Sequence, residues 1–365
     1  MRRPMAVIAL CTGVLCTALL VAGCGGGAAA GGGAAPGGTS TPTARAGTPF
    51  VLARNLEVPW AIAFLPGGDA LVTERDSARL LRVTPQGRVG TVGTVPGVEP
   101  SGEGGLLGVA VSPSFGRDRL VYLYFSTGTD NRIARFRYSG DGIGPLDAVL
   151  TGIPRAAIHN GGRLAFGPDG MLWAATGEHA EPGISQDRES LGGKILRMTP
   201  DGGPVPGNPF GTLVWTYGHR NVQGMAWDAG GRMYATELGQ DRFDEINQIQ
   251  KGRNYGWPAV EGAGHDGRYA DPRLTWPTEE ASPSGAAIAA GSLWVAALRG
   301  ERLWQVPLGR AGAAGTPVAH FTGEFGRLRE VVRAPDGSLW VTTSNRDGRG
   351  NPGPDDDKIL VIRPG

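Results

Sequence analysis

Pairs of short apolar runs, each joined by a glycine-containing turn, recur along the chain after residue 49. One pair spans 61–74, AIAFLPGGDALVTE, and another spans 330–343, EVVRAPDGSLWVTT. The other copies are 107–125, 163–176, 223–236 and, more weakly, 288–298. The turn glycines, at intervals of 46 to 61 residues, are Gly68, Gly116, Gly170, Gly231, Gly291 and Gly337. Short runs rich in Val, Leu, Trp and Tyr and bounded by Asp-Gly or Gly-Gly indicate β-hairpins.

Six hairpins at a period of roughly fifty residues are typical of a propeller or another repeat array. The pattern predicts an all-β fold, a six-bladed β-propeller, in which each repeat is a four-stranded blade that buries its faces on its neighbours. We expect ring closure to pair the strand around Val51 and Leu52 with the last strand, Lys358 to Ile362. A pair of β-sandwiches is the alternative. In a propeller, the motif-rich loops should meet near the central axis.

The first 49 residues have the composition of a targeting segment and a tether, and they do not enter the fold prediction. Residues 1–23 carry Arg2 and Arg3 before an apolar run, and Val-Ala-Gly-Cys at 21–24 resembles a bacterial lipobox. Cys24 is thus the predicted lipid anchor, residues 24–49 a flexible Gly/Ala/Pro/Thr linker, and residues 50–365 the propeller domain. An ordinary signal peptide with an incidental cysteine is the alternative. The protein is expected to be exported and lipid-anchored to the outer face of the bacterial cytoplasmic membrane.

Composition limits the partners and the chemistry. The formal net charge is +1, which argues against a nucleic-acid partner held by bulk charge, and membrane contact is expected only through the lipid anchor. The two remaining cysteines, Cys11 and Cys16, lie inside the signal segment. The mature chain therefore has no internal disulfide and no thiol chemistry.

Residues 218–257 contain the densest group of polar side chains. A Gly-His-Arg-Asn sequence at 218–221 precedes a predicted hairpin, and four carboxylates follow it, Glu237, Asp241, Asp244 and Glu245. Two strands followed by a charged loop are a common way for a scaffold to present a site. A hairpin with a solvated acidic loop is the alternative interpretation.

Several glycine-flanked motifs lie between or beside the hairpins. They are GEGGLLG at 102–108, HNGGR at 159–163, GHRNVQG at 218–224, DEIN at 244–247, NYGWP at 254–258, SPSG at 282–285 and GRLREV at 326–331. With these motifs in order over nearly all of residues 50–365, the sequence resembles the PQQ-dependent glucose/sorbosone dehydrogenase family, specifically its soluble aldose sugar dehydrogenase branch. The family fold is a six-bladed propeller, in agreement with the repeat count.

The resemblance implies a role for each residue that matches a family motif. His159 matches the general base that takes the anomeric proton while hydride passes from C1 of the sugar to C5 of pyrroloquinoline quinone (PQQ), a task that suits a histidine. Arg327 and Arg329 match the arginines that bind the cofactor carboxylates, Arg220 matches the arginine at the quinone oxygen, and Asn221 matches a further cofactor contact. The alternatives are a loop-capping histidine and, for the arginine pair, a solvated strand face.

Other site positions depart from the glucose dehydrogenase branch. Glu103, also assigned to the cofactor site, stands where that branch has Gln, and Arg299 stands where it has a cofactor-binding Lys. Ile158 replaces an Asp before the catalytic histidine, and Glu178 replaces another Asp. These changes leave the sugar specificity open and are expected to remove a carboxylate neighbour from His159.

The resemblance also implies Ca²⁺, which prefers oxygen ligands and often uses backbone carbonyls. One ion would bind PQQ and the carbonyls of Gly239 and Gln240, where many relatives have Pro at the second position. A second, structural ion would bind Glu245 and the carbonyl of Tyr255. The histidines show no zinc-type spacing. Trp257 is interpreted as blade core.

These assignments predict an enzyme that oxidises small-molecule aldoses to lactones and passes electrons to an external acceptor, as a monomer or homodimer. A non-catalytic propeller that binds a glycan or a protein at the cell surface is the first alternative. A metal-dependent lactonase is the second, although it would use axial carboxylates and no arginine cluster. The sequence alone does not identify the sugar.

Overall fold

The computed structural model of the chain describes residues 46–140 and 142–364. Over these residues the secondary structure is nearly all β, in six four-stranded antiparallel sheets. The sheets are the blades of a six-bladed propeller, as the hairpin pattern predicts, and the β-sandwich alternative is wrong. The predicted signal segment, Cys24 and most of the linker lie outside the described residues.

The first strand of the chain and the last three strands form one blade. Strand β1 (Phe50–Ala53) pairs with the final strand, β24 (Ile359–Ile362), so that Phe50 lies opposite Val361 and Val51 opposite Leu360. This pairing confirms the predicted ring closure. The mixed blade, blade 6, is completed by β22 (Leu328–Arg333) and β23 (Leu339–Thr343).

The other five blades follow one another along the chain. Blade 1 consists of β2 (Pro59–Phe64), β3 (Ala70–Glu74), β4 (Arg79–Val83) and β5 (Val89–Thr94). Blade 2 consists of β6 (Leu106–Val111), β7 (Leu120–Ser126), β8 (Asn131–Arg137) and β9 (Asp147–Ile153). Blade 3 consists of β10 (Leu164–Phe166), β11 (Leu172–Ala175), β12 (Lys194–Met198) and β13 (Val214–Tyr217).

Blade 4 consists of β14 (Val222–Trp227), β15 (Met233–Glu237), β16 (Phe243–Ile249) and β17 (Leu274–Pro277). Blade 5 consists of β18 (Pro283–Ala289), β19 (Ser292–Ala297), β20 (Arg302–Pro307) and β21 (Val318–His320). One short helix, α1 (Phe115–Asp118), and two 3₁₀ turns, Pro182–Ser185 and Arg310–Gly312, are the helical segments of the described residues. No helix there is long and apolar enough to cross a bilayer.

The six predicted hairpins are the first and second strands of the six blades. Five of the predicted turn glycines have φ between 72° and 91°, the left-handed region that glycine occupies without strain. Gly116 was wrongly assigned to such a turn, because it lies within α1. In that connection Arg119, with φ of 59°, takes the left-handed position that follows the helix.

The core consists of apolar side chains packed between neighbouring blades. Trp60 on β2 and Trp294 on β19 are among the largest side chains that are completely buried. The first strands of neighbouring blades pack side by side, as β14 does on β18 and β18 on β22. These strands therefore surround the central axis, with the later strands of each blade farther out.

The up-and-down order of the strands determines which loops share a face. In a four-stranded meander, the loop between the second and third strands and the connection to the next blade leave from the same edge. Every predicted site residue of the propeller domain except Glu245, Tyr255 and Arg329 lies in one of these loops, and Arg329 lies at the start of β22. The strand order alone thus directs the motif-bearing loops to one face of the ring.

Candidate functional site

His159 lies in the connection from blade 2 to blade 3 and contacts two carboxylates. Its Nδ1 is 2.5 Å from Oε1 of Glu178, and its main-chain N–H donates to Oε2 of Glu103 at 3.0 Å. Its φ of 58° is unusual for a non-glycine residue. The expectation that His159 lacks a carboxylate neighbour is wrong, because Glu178 supplies one from the loop after β11.

The pairing of His159 with Glu178 fixes the ring for proton transfer. The Glu178 side chain is 1% exposed and the His159 side chain 13% exposed. A carboxylate at Nδ1 favours the tautomer with the proton on that nitrogen, which leaves the lone pair on Nε2. Nε2 makes no hydrogen bond to any described residue. A histidine held in this way has the orientation and tautomer that a general base needs.

Glu103 connects His159 to the opposite side of the site. Its Oε1 accepts a hydrogen bond from Nη1 of Arg349 at 2.7 Å, and this arginine lies in the loop after β23. Burial raises the pKa of Glu103, but the hydrogen bond from the His159 amide and the charge of Arg349 lower it by more. The Glu103 carboxylate is therefore ionised where blades 1, 2 and 6 meet.

Arg327 and Arg329 are both buried and converge on one carboxylate. Asp347 Oδ2 accepts from Nε and Nη2 of Arg327 at 3.0 and 2.9 Å, and from Nη2 of Arg329 at 3.3 Å. The solvated-face interpretation of this pair is therefore wrong. Burial lowers the pKa of Arg329 to about 10, against the opposing effect of Asp347. Two arginines share one carboxylate, so the cluster retains positive charge for an anionic ligand.

A cavity of about 170 Å³ lies among these groups. Its lining includes predicted and unpredicted residues: Arg75, Gly102, Glu103, Gln223, Leu238, Leu298, Arg329, Asp347, Gly348 and Arg349. Sequence reasoning missed the contributions of Arg75, Gln223, Asp347 and Arg349. Gln223 belongs to the GHRNVQG motif and could have been found there, whereas the other three lie in loops without a recognised motif.

Arg220 and Asn221 both hold buried donors without partners. Nη1 of Arg220 donates to the Leu238 carbonyl at 3.0 Å, but its Nε has no partner. Oδ1 of Asn221 accepts from the Gly161 amide at 3.0 Å, while its Nδ2 is buried and unpaired. Burial lowers the pKa of Arg220, and the charge of Glu178 opposes this effect. Buried donors without partners cost free energy, so both side chains are candidates for ligand contacts.

The predicted acidic loop is mostly folded inward. Glu237, Asp244 and Glu245 are buried and Asp241 is exposed, so the solvated-loop alternative is wrong for three of the four carboxylates. Glu237 lies at the end of β15 and accepts the main-chain N–H of Arg220 as well as Nδ1 of His219. The fully buried His219 is thereby a structural residue.

The segment with Gly239 and Gln240 has its amide groups paired and its carbonyls free. The Gly239 amide donates to Asp244 Oδ1 at 2.9 Å, and the Gln240 amide donates to Glu261 Oε1 at 2.7 Å. Glu261 accepts from three further amides in a row, those of Asp241, Arg242 and Phe243. Neither carbonyl of the Gly239–Gln240 pair accepts a hydrogen bond within the described residues. Both oxygens are thus available to a cation.

Glu245 and Tyr255 line a second, small cavity beside Arg220 and Leu238. Glu245 accepts from the Gly262 amide at 2.7 Å and from Asn247 Nδ2 at 2.8 Å. Burial raises the pKa of Glu245 to about 8, with a further contribution from the charge of Glu237. No group of three or more His, Cys, Asp or Glu side chains in the described part of the chain has the geometry of a metal site.

Two aromatic residues next to this cavity have mainly structural contacts. Tyr255 stacks on the ring of His219 at 4.6 Å between centroids, and its hydroxyl donates to the Gln248 carbonyl at 2.7 Å. Trp257 is buried, in agreement with its interpretation as core, and the guanidinium of Arg220 lies 5.5 Å from its ring centre. Its Nε1 is nevertheless unpaired.

Arg299 is the predicted site residue that the structure leaves most isolated. It lies in the turn after β19, and its side chain is exposed and has no ion pair or hydrogen bond among the described residues. Its neighbour Leu298 lines the axial cavity. Arg299 is therefore at the rim, next to the site that the other arginines enclose.

Comparisons with known proteins agree with this architecture. The chain is 54% identical to the PQQ-bound aldose sugar dehydrogenase of Streptomyces coelicolor, with a TM-score of 0.85 over 88% of this chain and 99% of that one. A putative oxidoreductase (glucose dehydrogenase) of Thermus thermophilus is 45% identical over 86% of this chain and 99% of that one, with a TM-score of 0.81. The Escherichia coli aldose sugar dehydrogenase YliI is 31% identical over 82% of this chain and 90% of its own length. The family model described as glucose/sorbosone dehydrogenase matches residues 56–360, and the chain belongs to that family.

Proposed function

We propose that this chain is a PQQ- and Ca²⁺-dependent aldose sugar dehydrogenase that oxidises the C1 hydroxyl of an aldose to a lactone. The observation that carries the proposal is that a carboxylate-oriented histidine and a buried arginine cluster lie on the same axial site. The first is what proton removal needs, and the second is what a multiply anionic cofactor needs. The relatives named above include one with PQQ bound.

The residues present fit PQQ, which carries three carboxylates and a quinone. Arg327 and Arg329 would bind its carboxylates, because both are held at the cavity with one shared counter-charge. The unpaired Nδ2 of Asn221 and Nε of Arg220 would donate to its oxygens. Glu103 in the cavity wall and Arg299 at the rim remain candidates. When bound, PQQ supplies the hydride acceptor, because the protein side chains have no redox chemistry of their own.

The residues also fit a Ca²⁺ ion at the cofactor. The carbonyls of Gly239 and Gln240 have no internal partners, and Ca²⁺ takes such oxygens as ligands. Gln240 in place of Pro does not change this, because only its carbonyl is used. For the second ion, Glu245 and the Tyr255 carbonyl remain the proposed ligands.

In the proposed mechanism the protein handles the proton and the developing charge. His159 Nε2 takes the proton of the anomeric hydroxyl, and Glu178 stabilises the imidazolium that results. When PQQ is bound, the unpaired Nε of Arg220 would donate to one of its oxygens and would stabilise negative charge there. Glu103 holds the main chain of His159 and, with Arg349, bounds the side of the cavity where a sugar would enter.

The proposed enzyme would be attached to a membrane and would need an external electron acceptor. The lipobox-like sequence supports attachment through Cys24 to the outer face of the bacterial cytoplasmic membrane, after removal of residues 1–23. An external acceptor would then receive the electrons. The protein would act as a monomer or a homodimer.

A titration with PQQ tests the proposal directly. Purified protein is titrated with PQQ in Ca²⁺ and again in EDTA, and aldoses are then added with an electron-accepting dye. We expect saturable binding that requires Ca²⁺, followed by sugar-dependent reduction of the dye.

Two variants complete the test. Arg329→Met should weaken PQQ binding by about tenfold or more, as expected for a buried charged contact, whereas Arg333→Met, an exposed change on the same strand, should leave it unchanged. Folded protein that binds no PQQ would refute the proposal in favour of a non-catalytic binding module. Equal PQQ affinity in Arg329→Met and Arg333→Met would refute the arginine assignment.

A further inference from the structure

Lys194 is a completely buried lysine, and the chain contains only two others, Lys251 and Lys358. Its Nζ donates to three backbone carbonyls, those of Ile184, Ser185 and Gly192, at 2.8, 3.2 and 2.5 Å. No carboxylate in the described residues lies within ion-pair distance of it. A buried ammonium without a counter-charge at ion-pair distance is costly: burial lowers the pKa of Lys194 to about 7, and the charge of Asp187 opposes this effect. The three carbonyls are therefore what favours the charged form at this position.

The three carbonyls belong to one long loop between β11 and β12, residues 176–193, which we term the base loop. Its neck is closed by the Gly193 amide, which donates to the Gly177 carbonyl at 3.0 Å, and by the Thr176 hydroxyl, which donates to the Leu191 carbonyl at 2.6 Å. Near its start the base loop contains Glu178, the carboxylate that orients His159. Gly177 forms an isolated β-bridge with Asn221, but residues 179–192 of the loop pair with no strand.

The base loop also supports the segment with Arg220. The Ser185 hydroxyl donates to the His219 carbonyl at 2.7 Å, and the Gly218 amide donates to the Ser185 carbonyl at 2.8 Å. The Glu178 amide donates to the Arg220 carbonyl at 2.9 Å. Two functional side chains, Glu178 and Arg220, therefore depend on the position of one loop.

We propose that Lys194 is a positioning residue whose ammonium acts as an internal cation, bound by three carbonyls much as a metal ion would be, and that it fixes the base loop so that Glu178 orients His159. The inference deepens the proposed function and rests on it for the role of His159. Lys194 itself touches neither substrate nor cofactor. It acts through the carbonyls of Ile184, Ser185 and Gly192.

The geometry explains why the residue is lysine in a chain that otherwise uses arginine almost throughout. An ammonium has three donors in a tetrahedral arrangement, which suits three carbonyls around a point. A guanidinium is planar and larger, so it would have to displace the 3₁₀ turn Pro182–Ser185 to reach the same oxygens. Lys194→Arg is therefore expected to behave as a loss of function although it keeps the charge.

The test uses the PQQ- and Ca²⁺-loaded enzyme and chemical rescue. In Lys194→Ala, kcat at saturating PQQ should fall by about tenfold or more because a small misplacement of a positioned group has that effect, while the KM for sugar changes little. Added n-propylammonium, which matches the deleted atoms, should restore part of kcat. The neutral n-propanol should not. Lys251→Ala, a change at an exposed lysine, is the control and should behave as the wild type.

Hydrogen exchange of the base loop gives a readout that does not need activity. Amides of residues 178–192 should exchange faster in Lys194→Ala and regain protection with n-propylammonium, even if the protein proves not to be a dehydrogenase. Unchanged exchange in this loop would overturn the inference, as would a kcat equal to that of the wild type. Rescue by n-propanol as well as by n-propylammonium would also overturn it, because the cavity and not the cation would then be responsible.

Discussion

Replacing Arg163 with Met would remove the cation from a buried ion pair that crosses the centre of the ring. Arg163 precedes β10 of blade 3, and its partner Glu330 lies on β22 of the opposite blade 6. The two side chains are 8% and 2% exposed. The guanidinium also donates to the Gln223 carbonyl at 2.7 Å and lies 4.6 Å from the ring centre of Trp60. The substitution would thus leave a carboxylate buried without its partner.

The destabilisation expected for Arg163→Met is large because both members of the ion pair are buried. Breaking a buried pair by removing one partner costs about 3–5 kcal/mol, because the other charge stays uncompensated. The entropy of unfolding of a domain of this size, about 320 residues, is roughly 0.7 kcal/mol/K. The melting temperature of Arg163→Met should therefore fall by about 4–7 °C. The exposed pair Arg54–Asp355 provides the matched control, since Arg54→Met should cost less than about 1 kcal/mol.

The stability that Arg163→Met loses should increase as the pH rises. Burial raises the pKa of Glu330 to about 7, and Arg163 opposes this rise. The folded pKa exceeds the value near 4.5 of the unfolded chain, so the contribution of Glu330 to stability is fully present below pH 4.5 and is lost as the pH rises through 7. Without Arg163 the folded pKa rises further, so the variant loses stability over a wider range of alkaline pH. The difference between wild type and Arg163→Met should be small at pH 5 and largest near pH 8.

Scanning calorimetry or guanidinium denaturation at both pH values measures the effect. Glu330→Gln in the Arg163→Met background removes the unpaired charge, so the double variant should recover part of the loss at pH 8. A double variant no more stable than Arg163→Met at pH 8, or a loss for Arg163→Met that does not change with pH, would show that the cost comes from packing rather than from the buried carboxylate.

Three further predictions concern the site. Glu178→Gln should lower kcat by about tenfold or more with little change in PQQ binding, because a neutral amide stabilises the imidazolium by about 1–2 kcal/mol less than a carboxylate. A wild-type rate in single-turnover kinetics at saturating PQQ would contradict this prediction. Gln240→Ala should keep the Kd of Ca²⁺-dependent PQQ binding, measured by titration, within about threefold of the wild-type value. Only the carbonyl of residue 240 is used, and its main-chain N–H still donates to Glu261. Loss of binding would show that the side chain is needed. Arg349→Ala should leave the free energy of unfolding within about 1 kcal/mol, since the Arg349 side chain is 57% exposed although its partner Glu103 is only 17% exposed. The change should raise the KM for the sugar, and an unchanged KM would place the sugar elsewhere in the cavity.

The alternation of apolar runs and turns was sufficient to predict the fold. Each hairpin is a local feature, made by residues within about twenty positions of one another, and the six copies at a period of roughly fifty residues fix the number of blades. The closure by β1 and β24 also followed, because a ring needs both of its ends to pair. The helix at Gly116 was missed, since a local glycine does not reveal whether a connection is a tight turn or a helical one.

Site residues that belong to motifs could be predicted from the sequence, but the side chains that contact them could not. His159, Arg220, Asn221, Arg327 and Arg329 could be named from the sequence and its family resemblance. Their loops leave from one face because the strand order requires it.

Only the tertiary structure decided which residues of different loops and blades pair with one another. Glu178 reaches His159 from the next blade, Asp347 lies between two arginines, and Arg163 meets Glu330 from the opposite side. Such partners are separated by 19 to 167 positions, and no local pattern encodes a contact that forms when six blades close around an axis. The three backbone carbonyls that bind Lys194 could not be predicted either, because every residue carries a backbone carbonyl and the sequence does not show where it points.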